Sequence, residues 1–337
     1  MATYYDIFGQ KVQYLSSDPS PVAVGQVWYN STSNTAKVQG YQAAAWSAGG
    51  SINNNMSSGS MTTQGTQNAF LIWNGAAPGV DANPGYVESY NGTSWTNLST
   101  SPYPATTPTS FGTQTSAVSA GGNTGAGGQS TTIEWNGSGW TGGGSLPYNR
   151  MYMYNGAGTS ESDGITIGGW NQTSPTGGSK NDVIVYNGTA WSTDAATCPF
   201  PQYTGTHYGT GSSDVNLFGG YNPPAPESRN NDHVNYNGTT FTALSVYPLR
   251  IASASSAGTT SEAYVWSGNT SPGDTAVGNS WDGTSWASST SYPSGKQASY
   301  SGGSSVGVAL NASGQPYNQT TFEYQAAGAV TQTLTTS

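Results

Sequence analysis

Few residues in this chain are equipped for catalysis, and their spacing argues against it. Hydrolysis of a glycoside usually needs two carboxylates about 5–10 Å apart. The 16 acidic residues form no recurrent pair, and Asp163, Asp182 and Asp214 fall beside turns or at strand ends. A clamp on a substrate carboxylate needs clustered guanidinium forks. The chain has only Arg150, Arg229 and Arg250, and Arg150 and Arg250 occupy equivalent places just after a proline loop. His207 and His233 have no Cys or His at ligand spacing, so no metal site is expected. No glycine-rich stretch follows a strand and opens a helix, so no phosphate cradle and no cofactor are expected. The expectation is a non-enzyme. Aromatic chemistry is plentiful instead, with 11 Trp and 22 Tyr among many Asn, Ser and Thr. Apolar ring faces beside hydroxyls and amides suit neutral sugars. Trp170 and Tyr221 are candidates where an apolar strand runs into a long loop. Tyr103, Tyr148, Tyr247 and Tyr292 are candidates in proline-bearing loops. For any one of these tyrosines, wedging between packed sheets is the simpler role.

The elements that would position these rings come from a repeat. YNGTSW begins at Tyr90, and its siblings are WNGSGW at Trp135, YNGTAW at Tyr186, YNGTTF at Tyr236 and WDGTSW at Trp281. Degenerate copies start at Tyr41 and Tyr324, so successive leading aromatics stand 43 to 51 residues apart. Asn-Gly and Asp-Gly are strong hairpin signals, because both central residues of a type I′ turn take positive φ. The expected turns are Asn91–Gly92, Asn136–Gly137, Asn187–Gly188, Asn237–Gly238 and Asp282–Gly283. That register places Tyr90 opposite Thr93, and Glu88 opposite Trp95. It likewise pairs Ile133 with Trp140, Ile184 with Trp191 and Val234 with Phe241; Trp286 closes the last copy. These are packing positions. Apolar or small-residue strands lie midway, at 69–73, 116–122, 164–170, 215–221, 263–268 and 306–310. A period near 45–50 residues in an all-β chain marks propeller blades of four strands. Six midway strands imply six blades, and a strand near Trp46 would pair beside TFEY at 321–324 to close the ring.

These residues resemble kelch-type propellers. Gly121–Gly122, Gly168–Gly169 and Gly219–Gly220 match that family's glycine doublet at the end of the second strand. Tyr90 with Trp95 and Tyr186 with Trp191 match its aromatic pair. The first, fifth and sixth repeats lack a clean doublet. The resemblance implies a fold and says little of activity, since propellers host many functions. A six-bladed sialidase-like enzyme is the competing resemblance. Its Asp-box turn separates Asp from Gly by one residue, whereas Asp282 and Gly283 are adjacent.

Residues 1–40 precede the repeat. GQVWYNSTSNTAKVQGY, residues 25–41, reads as a strand, an Asn/Ser turn and a second strand. It resembles the N-terminal module of appendage and fibre-like virion proteins of tailed phages, marine phages in particular. The match rests on Gly25, Val27, Trp28, Tyr29, Asn30, Ser31, Thr32 and Lys37. The resemblance implies that residues 1–40, with Trp28, Tyr29 and Lys37, dock on other virion proteins while residues 41–337 face outward. It implies a virion location and many copies per particle.

Composition narrows the partners. Only 7% of residues are charged and the formal net charge is −9, which disfavours nucleic acid and anionic membranes. The aromatic content argues against disorder. No apolar run is long enough to span a membrane, and MATYYDIFGQ has neither a basic nor an apolar leader segment. Cys198, the single cysteine, is expected at a loop as a small buried residue. The segments 74–85, 171–180, 222–231 and 269–278 read as long, unlike, polar loops opposite the tight turns. Varied loops on a regular scaffold suggest a recognition surface. The expectation is a six-bladed, kelch-like all-β propeller behind a short β attachment segment. It would be displayed on a phage virion, with host-surface polysaccharide as a candidate ligand. A purely architectural role is the competing reading.

Overall fold

The computed structural model describes residues 12–79, 83–172, 177–222 and 228–334. Among them every regular element is a strand except a 3-10 turn at Val306–Val308. The chain divides into two compact units, Met1–Ala45 with Ala326–Ser337, and Trp46–Gln325. The sequence placed residues 41–337 in one body, but the C-terminal strand joins the smaller unit. Gly328–Leu334 runs antiparallel along Thr35–Gln42, from Gly328 opposite Gln42 to Leu334 opposite Ala36. Thr35–Gln42 has Val27–Asn30 on its other edge, and the uncharged tail pairs the backbone groups left over. Gln13–Leu15 adds a parallel fourth strand beside Val27–Asn30.

The larger unit is a propeller-like succession of antiparallel sheets. Sheet A holds Ser60–Met61, Phe70–Trp73, Val87–Tyr90 and Trp95–Asn97; sheet B holds Thr109–Thr113, Ser116–Ala120, Thr132–Trp135 and Trp140–Gly143. Sheet C is built on Ala157–Ser160, Asp163–Ile167, Gly178–Tyr186 and Trp191–Gln202, with the short Trp170–Asn171 strand also on Gly178–Tyr186. Sheet D holds Thr206–Gly211, Asp214–Phe218, His233–Tyr236 and Phe241–Ala243; sheet E holds Ser255–Thr259, Glu262–Trp266, Gly278–Trp281 and Trp286–Ser289. Sheet F takes Tyr300–Gly302, Leu310–Ala312 and Thr321–Gln325, and its outermost strand is Ala45–Ala48. Cys198 lies within the long last strand of sheet C and not in a loop; burial raises its thiol pKa to about 12.

The repeated hairpin differs from the type I′ expectation. Tyr90 pairs with Trp95, Trp135 with Trp140, Tyr186 with Trp191, Tyr236 with Phe241 and Trp281 with Trp286, while Glu88 faces Asn97. The loop therefore has four residues. Gly92 takes φ +91°, but Asn91 is not among the positive-φ residues. The asparagine acts through its side chain, as Asx turns do. Asn91 Oδ1 accepts the amides of Thr93 at 3.0 Å and Ser94 at 2.9 Å. Asn136, Asn187, Asn237 and Asp282 repeat this. The wider loop sets the two aromatics opposite each other, with Tyr90 and Trp95 centroids 4.8 Å apart.

The glycine doublet is more general than its spelling. Gly121–Gly122, Gly168–Gly169 and Gly219–Gly220 all take left-handed φ. Asn74–Gly75, Ser267–Gly268 and Ser313–Gly314 take the same conformation in sheets A, E and F. The last doublet also corrects the strand expected at 306–310. Sheet F's second strand is Leu310–Ala312, directly before Ser313. The second glycine cannot change, because a Cβ on Gly122 would lie 2.7 Å from the Thr106 carbonyl oxygen.

Those doublets tie each sheet to the next. The amides of Gly75, Gly122, Gly169, Gly220 and Gly268 donate to the carbonyls of Ala105, Arg150, Gln202, Ile251 and Lys296, at 2.6–3.1 Å. Ser313 Oγ donates to the Met56 carbonyl. This register aligns Arg150 with Ile251 and Lys296, and not with Arg250. A second series links the segments just before each first strand. The amides of Thr107, Met153, Thr204, Ser253, Ala298 and Ser58 donate to the carbonyls of Ser58, Thr107, Tyr152, Thr204, Ser253 and Ala298, at 2.7–3.3 Å. Ser58, Thr107, Tyr152, Thr204, Ser253 and Ala298 all hold φ between 52° and 60°, an unusual conformation for side-chain-bearing residues.

Candidate binding face

The loops after the doublets meet the segments entering the next first strand, and aromatic side chains gather there. Trp170 follows Gly169 and exchanges two backbone hydrogen bonds with Met151, at 3.0 and 2.8 Å. Tyr221 follows Gly220 and makes the corresponding exchange with Tyr203, at 3.2 and 2.9 Å. Tyr203 therefore stands between the two candidates. Its ring stacks on Tyr221, with centroids 5.2 Å apart and planes 21° apart. Trp170 meets it edge-on at 5.2 Å, and Tyr152 approaches to 5.9 Å. Tyr203 is only 8% exposed, whereas Tyr152, Trp170 and Tyr221 are half-buried. The result is one supporting ring beneath three partly open ones.

Polar groups frame this platform. The Arg229 guanidinium carbon lies 5.0 Å from the Tyr221 ring centroid, a cation–π arrangement. Asn269 Oδ1 accepts from Tyr221 Oη at 3.2 Å and Arg229 Nε at 2.9 Å, and its Nδ2 donates to Asp274. Tyr154 Oη faces the Ser58 and Ser253 side chains, and burial raises its pKa. Such a surface can stack an apolar sugar face and bond its hydroxyls at the rim.

The other candidates are dispersed. Tyr247 is fully buried against Phe218, with ring centroids 4.7 Å apart, and its hydroxyl accepts from Asn279 Nδ2 at 2.9 Å. Tyr292 is 2% exposed and its hydroxyl accepts from Asn311 Nδ2 at 2.9 Å. Both act as wedges and offer no ring face to a ligand. Tyr103 is half-buried against the core group of Leu71, Trp73 and Val87. Tyr148 is 51% exposed, with the Arg150 guanidinium 5.5 Å from its ring centroid. Parts of three loops expected to form this face, residues 80–82, 173–176 and 223–227, lie outside the described residues.

Sequence reasoning missed Tyr203 and Tyr152 as members of this face. Tyr152 and Tyr203 share one signal, an aromatic at or just before the left-handed residue that precedes a first strand. His207 and His233 are both buried, and among the described residues no group of three or more His, Cys, Asp or Glu converges as a metal site would require. Among the same residues no helix is long and apolar enough to cross a membrane.

The candidate attachment residues organise the smaller unit from within. Asp18 accepts from Trp28 Nε1 at 2.9 Å, Asn30 Nδ2 at 2.7 Å and Lys37 Nζ at 2.6 Å. These donors, Lys37 first, lower the Asp18 pKa to about 2. Trp28 is fully buried, while Tyr29 stacks on the exposed Tyr14 at 5.2 Å. Among the described residues, Val12, Tyr14, Val24, Tyr41 and Leu334 are the unit's exposed large apolar side chains. No protein-family profile matches the sequence, and no match emerges among curated proteins.

Proposed function

We propose that this chain is a structural component of a tailed-phage virion that displays a propeller for attachment to host-surface glycans. Sheets A to F are read as six blades of a kelch-like ring. The two hydrogen-bond series that run from sheet to sheet, and the placement of Ala45–Ala48 beside Thr321–Gln325, support that reading. The virion assignment rests on the resemblance of residues 25–41. The exposed apolar side chains of the smaller unit fit a docking role, with Trp28 and Lys37 shaping the module that neighbouring virion proteins would contact. The low charge suits a protein held in an assembly.

One observation carries the ligand-binding half: Tyr152, Trp170 and Tyr221, drawn from two sheets, converge half-open on the buried Tyr203. Attachment is weak at one site and gains avidity from copy number. The test is binding of purified, labelled protein to intact host cells and a glycan array, as monomer and as clustered multimer. Saturable binding lost in Trp170→Ala and Tyr221→Ala is the expected result. Absence of binding even when clustered leaves the architectural reading, with neighbouring virion proteins as the only partners.

A further inference from the structure

A cleft of about 340 Å³ is lined by Tyr148, Arg150, Asn171, Lys180, Asn181 and Asp182, with Arg150 and Asn171 next in sequence to Met151 and Trp170. Its composition departs from the rest of the molecule. The chain has 7 Lys and Arg against 16 Asp and Glu, yet two of those cations and a single carboxylate line this cleft. Arg150 is the unusual member. It is 2% exposed, a burial that charged side chains reach only when paired. Its pairing is incomplete: Nη2 meets Asp182 Oδ2, while Nε, Nη1 and Asp182 Oδ1 have no hydrogen-bond partner. A buried guanidinium with two open donors is costly unless something completes it. Its backbone holds it in place, since the Arg150 amide donates to Gln129 and its carbonyl accepts from Gly122, both at 2.8 Å.

The open donors have a matching ligand chemistry. Each guanidinium edge that can hold a carboxylate pairs Nη2 with either Nε or Nη1, so a ligand carboxylate engages one open donor together with the Nη2 hydrogen that Asp182 does not take. Asp182 Oδ1 can accept a hydroxyl, Lys180 adds positive charge, and Tyr148 offers an exposed ring of the kind that stacks on a sugar face. A neutral sugar would leave the guanidinium edge unanswered. We infer that the Tyr148–Arg150–Lys180–Asp182 cleft binds a carboxylate-bearing sugar, a hexuronate residue of an acidic polysaccharide. The carboxylate docks on Arg150, a ring hydroxyl donates to Asp182, and Tyr148, which overlies the guanidinium, swings aside to cover the sugar.

This inference rests on the glycan-binding reading and names its ligand class. Calorimetry on the full chain, with oligoglucuronate against a neutral oligoglucoside of equal length, tests it. The expected result is at least tenfold tighter binding of the acidic oligosaccharide. Lys180→Gln and Tyr148→Ala, which leave the buried pair intact, should each reduce that preference about tenfold, and Arg150→Lys should abolish it. Equal affinity for the two oligosaccharides, or an acidic preference indifferent to Lys180→Gln and Tyr148→Ala, overturns the inference while leaving glycan attachment standing. Binding of neither, by monomer or multimer, removes both.

Discussion

The hydroxyl of Tyr208 lies 2.8 Å from Nε2 of His233, and the other ring nitrogen of that histidine lies 3.0 Å from the Ser245 carbonyl. A carbonyl can only accept, so Nδ1 carries the proton and Nε2 accepts from the tyrosine. The ring is enclosed by Trp281 at 4.8 Å and Trp286 at 5.3 Å. Burial lowers the His233 pKa from 6.5 to about 4. His207 is lowered to about 4 by the same cause, against the opposing pull of the Ile167 and Asn155 backbones. A base whose folded pKa is depressed stabilises the fold above its unfolded value and loses that contribution as pH falls. Stability should therefore drop between pH 6.5 and about 4, by roughly 1.4 kcal/mol per pH unit for each histidine. Denaturant titrations across this range check it, and His233→Gln should remove about half of the slope. An identical slope in the variant would show that carboxylates alone set the pH dependence.

Asn74 stands where sheets B, C and D have the first glycine of the doublet. It holds φ at 62°, is fully buried, and neither side-chain polar atom has a hydrogen-bond partner. Its backbone carries the useful bonds, to the Tyr86 carbonyl at 2.9 Å and from the Tyr300 hydroxyl at 2.7 Å. Asn74→Gly keeps those bonds and removes a desolvated amide worth about 1–3 kcal/mol. Part of the gain is offset by the freer unfolded chain of glycine. The expected outcome is a net stabilisation of about 1 kcal/mol, read as a rise in Tm. A fall in Tm would mean the amide has a partner, such as a bound water.

The same residue explains what the sequence hid. Gly-Gly was readable as a strand terminus, but Asn74, Ser267 and Ser313 adopt that backbone with other letters, because short polar residues tolerate left-handed φ. The period was legible because sheets A to E each carry an Asx loop between their last two strands. The hairpin register was not, since an asparagine before glycine can serve by its own φ or by its side chain. Only the observed amides on Asn91 Oδ1 separate the two. Trp170 and Tyr221 were legible as candidates, but Tyr203, which joins them, directly follows the strand Trp191–Gln202, and no local pattern marks its ring as their shared support. The partnership of Gly328–Leu334 with Thr35–Gln42 spans nearly the whole chain, and no local pattern encodes such pairing.

Trp46 tests whether the N-terminal strand completes sheet F. Its ring lies edge-on to Tyr292 at 4.9 Å and to Trp266 at 5.2 Å, near Tyr324 at 5.2 Å, and its Nε1 donates to Tyr264 Oη at 3.2 Å. Trp46→Ala should cost about 3 kcal/mol, the low end for a large aromatic, since Trp46 is only partly buried. Hydrogen exchange should then quicken first in Thr321–Gln325, whose outer edge Ala45–Ala48 covers. Unchanged protection there would mean the strand contributes little to holding the sheets together.

Binding and folding should separate cleanly among the tyrosines. Tyr247→Phe strands Asn279 Nδ2, which donates to the lost hydroxyl at 2.9 Å, and should cost about 1 kcal/mol of stability with glycan affinity unchanged. Tyr221→Ala and Trp170→Ala remove half-open rings and should each weaken glycan binding about tenfold, close to 1.4 kcal/mol. Their effect on stability should be smaller than that of Tyr203→Ala, because Tyr203 supports all three neighbours and is nearly buried. Tyr203→Ala should lower both Tm and affinity. Paired melting curves and binding isotherms on the four variants distinguish the roles. If Tyr247→Phe reduced binding as much as Trp170→Ala, the ligand would contact a different face, because the Tyr247 ring is inaccessible from the platform.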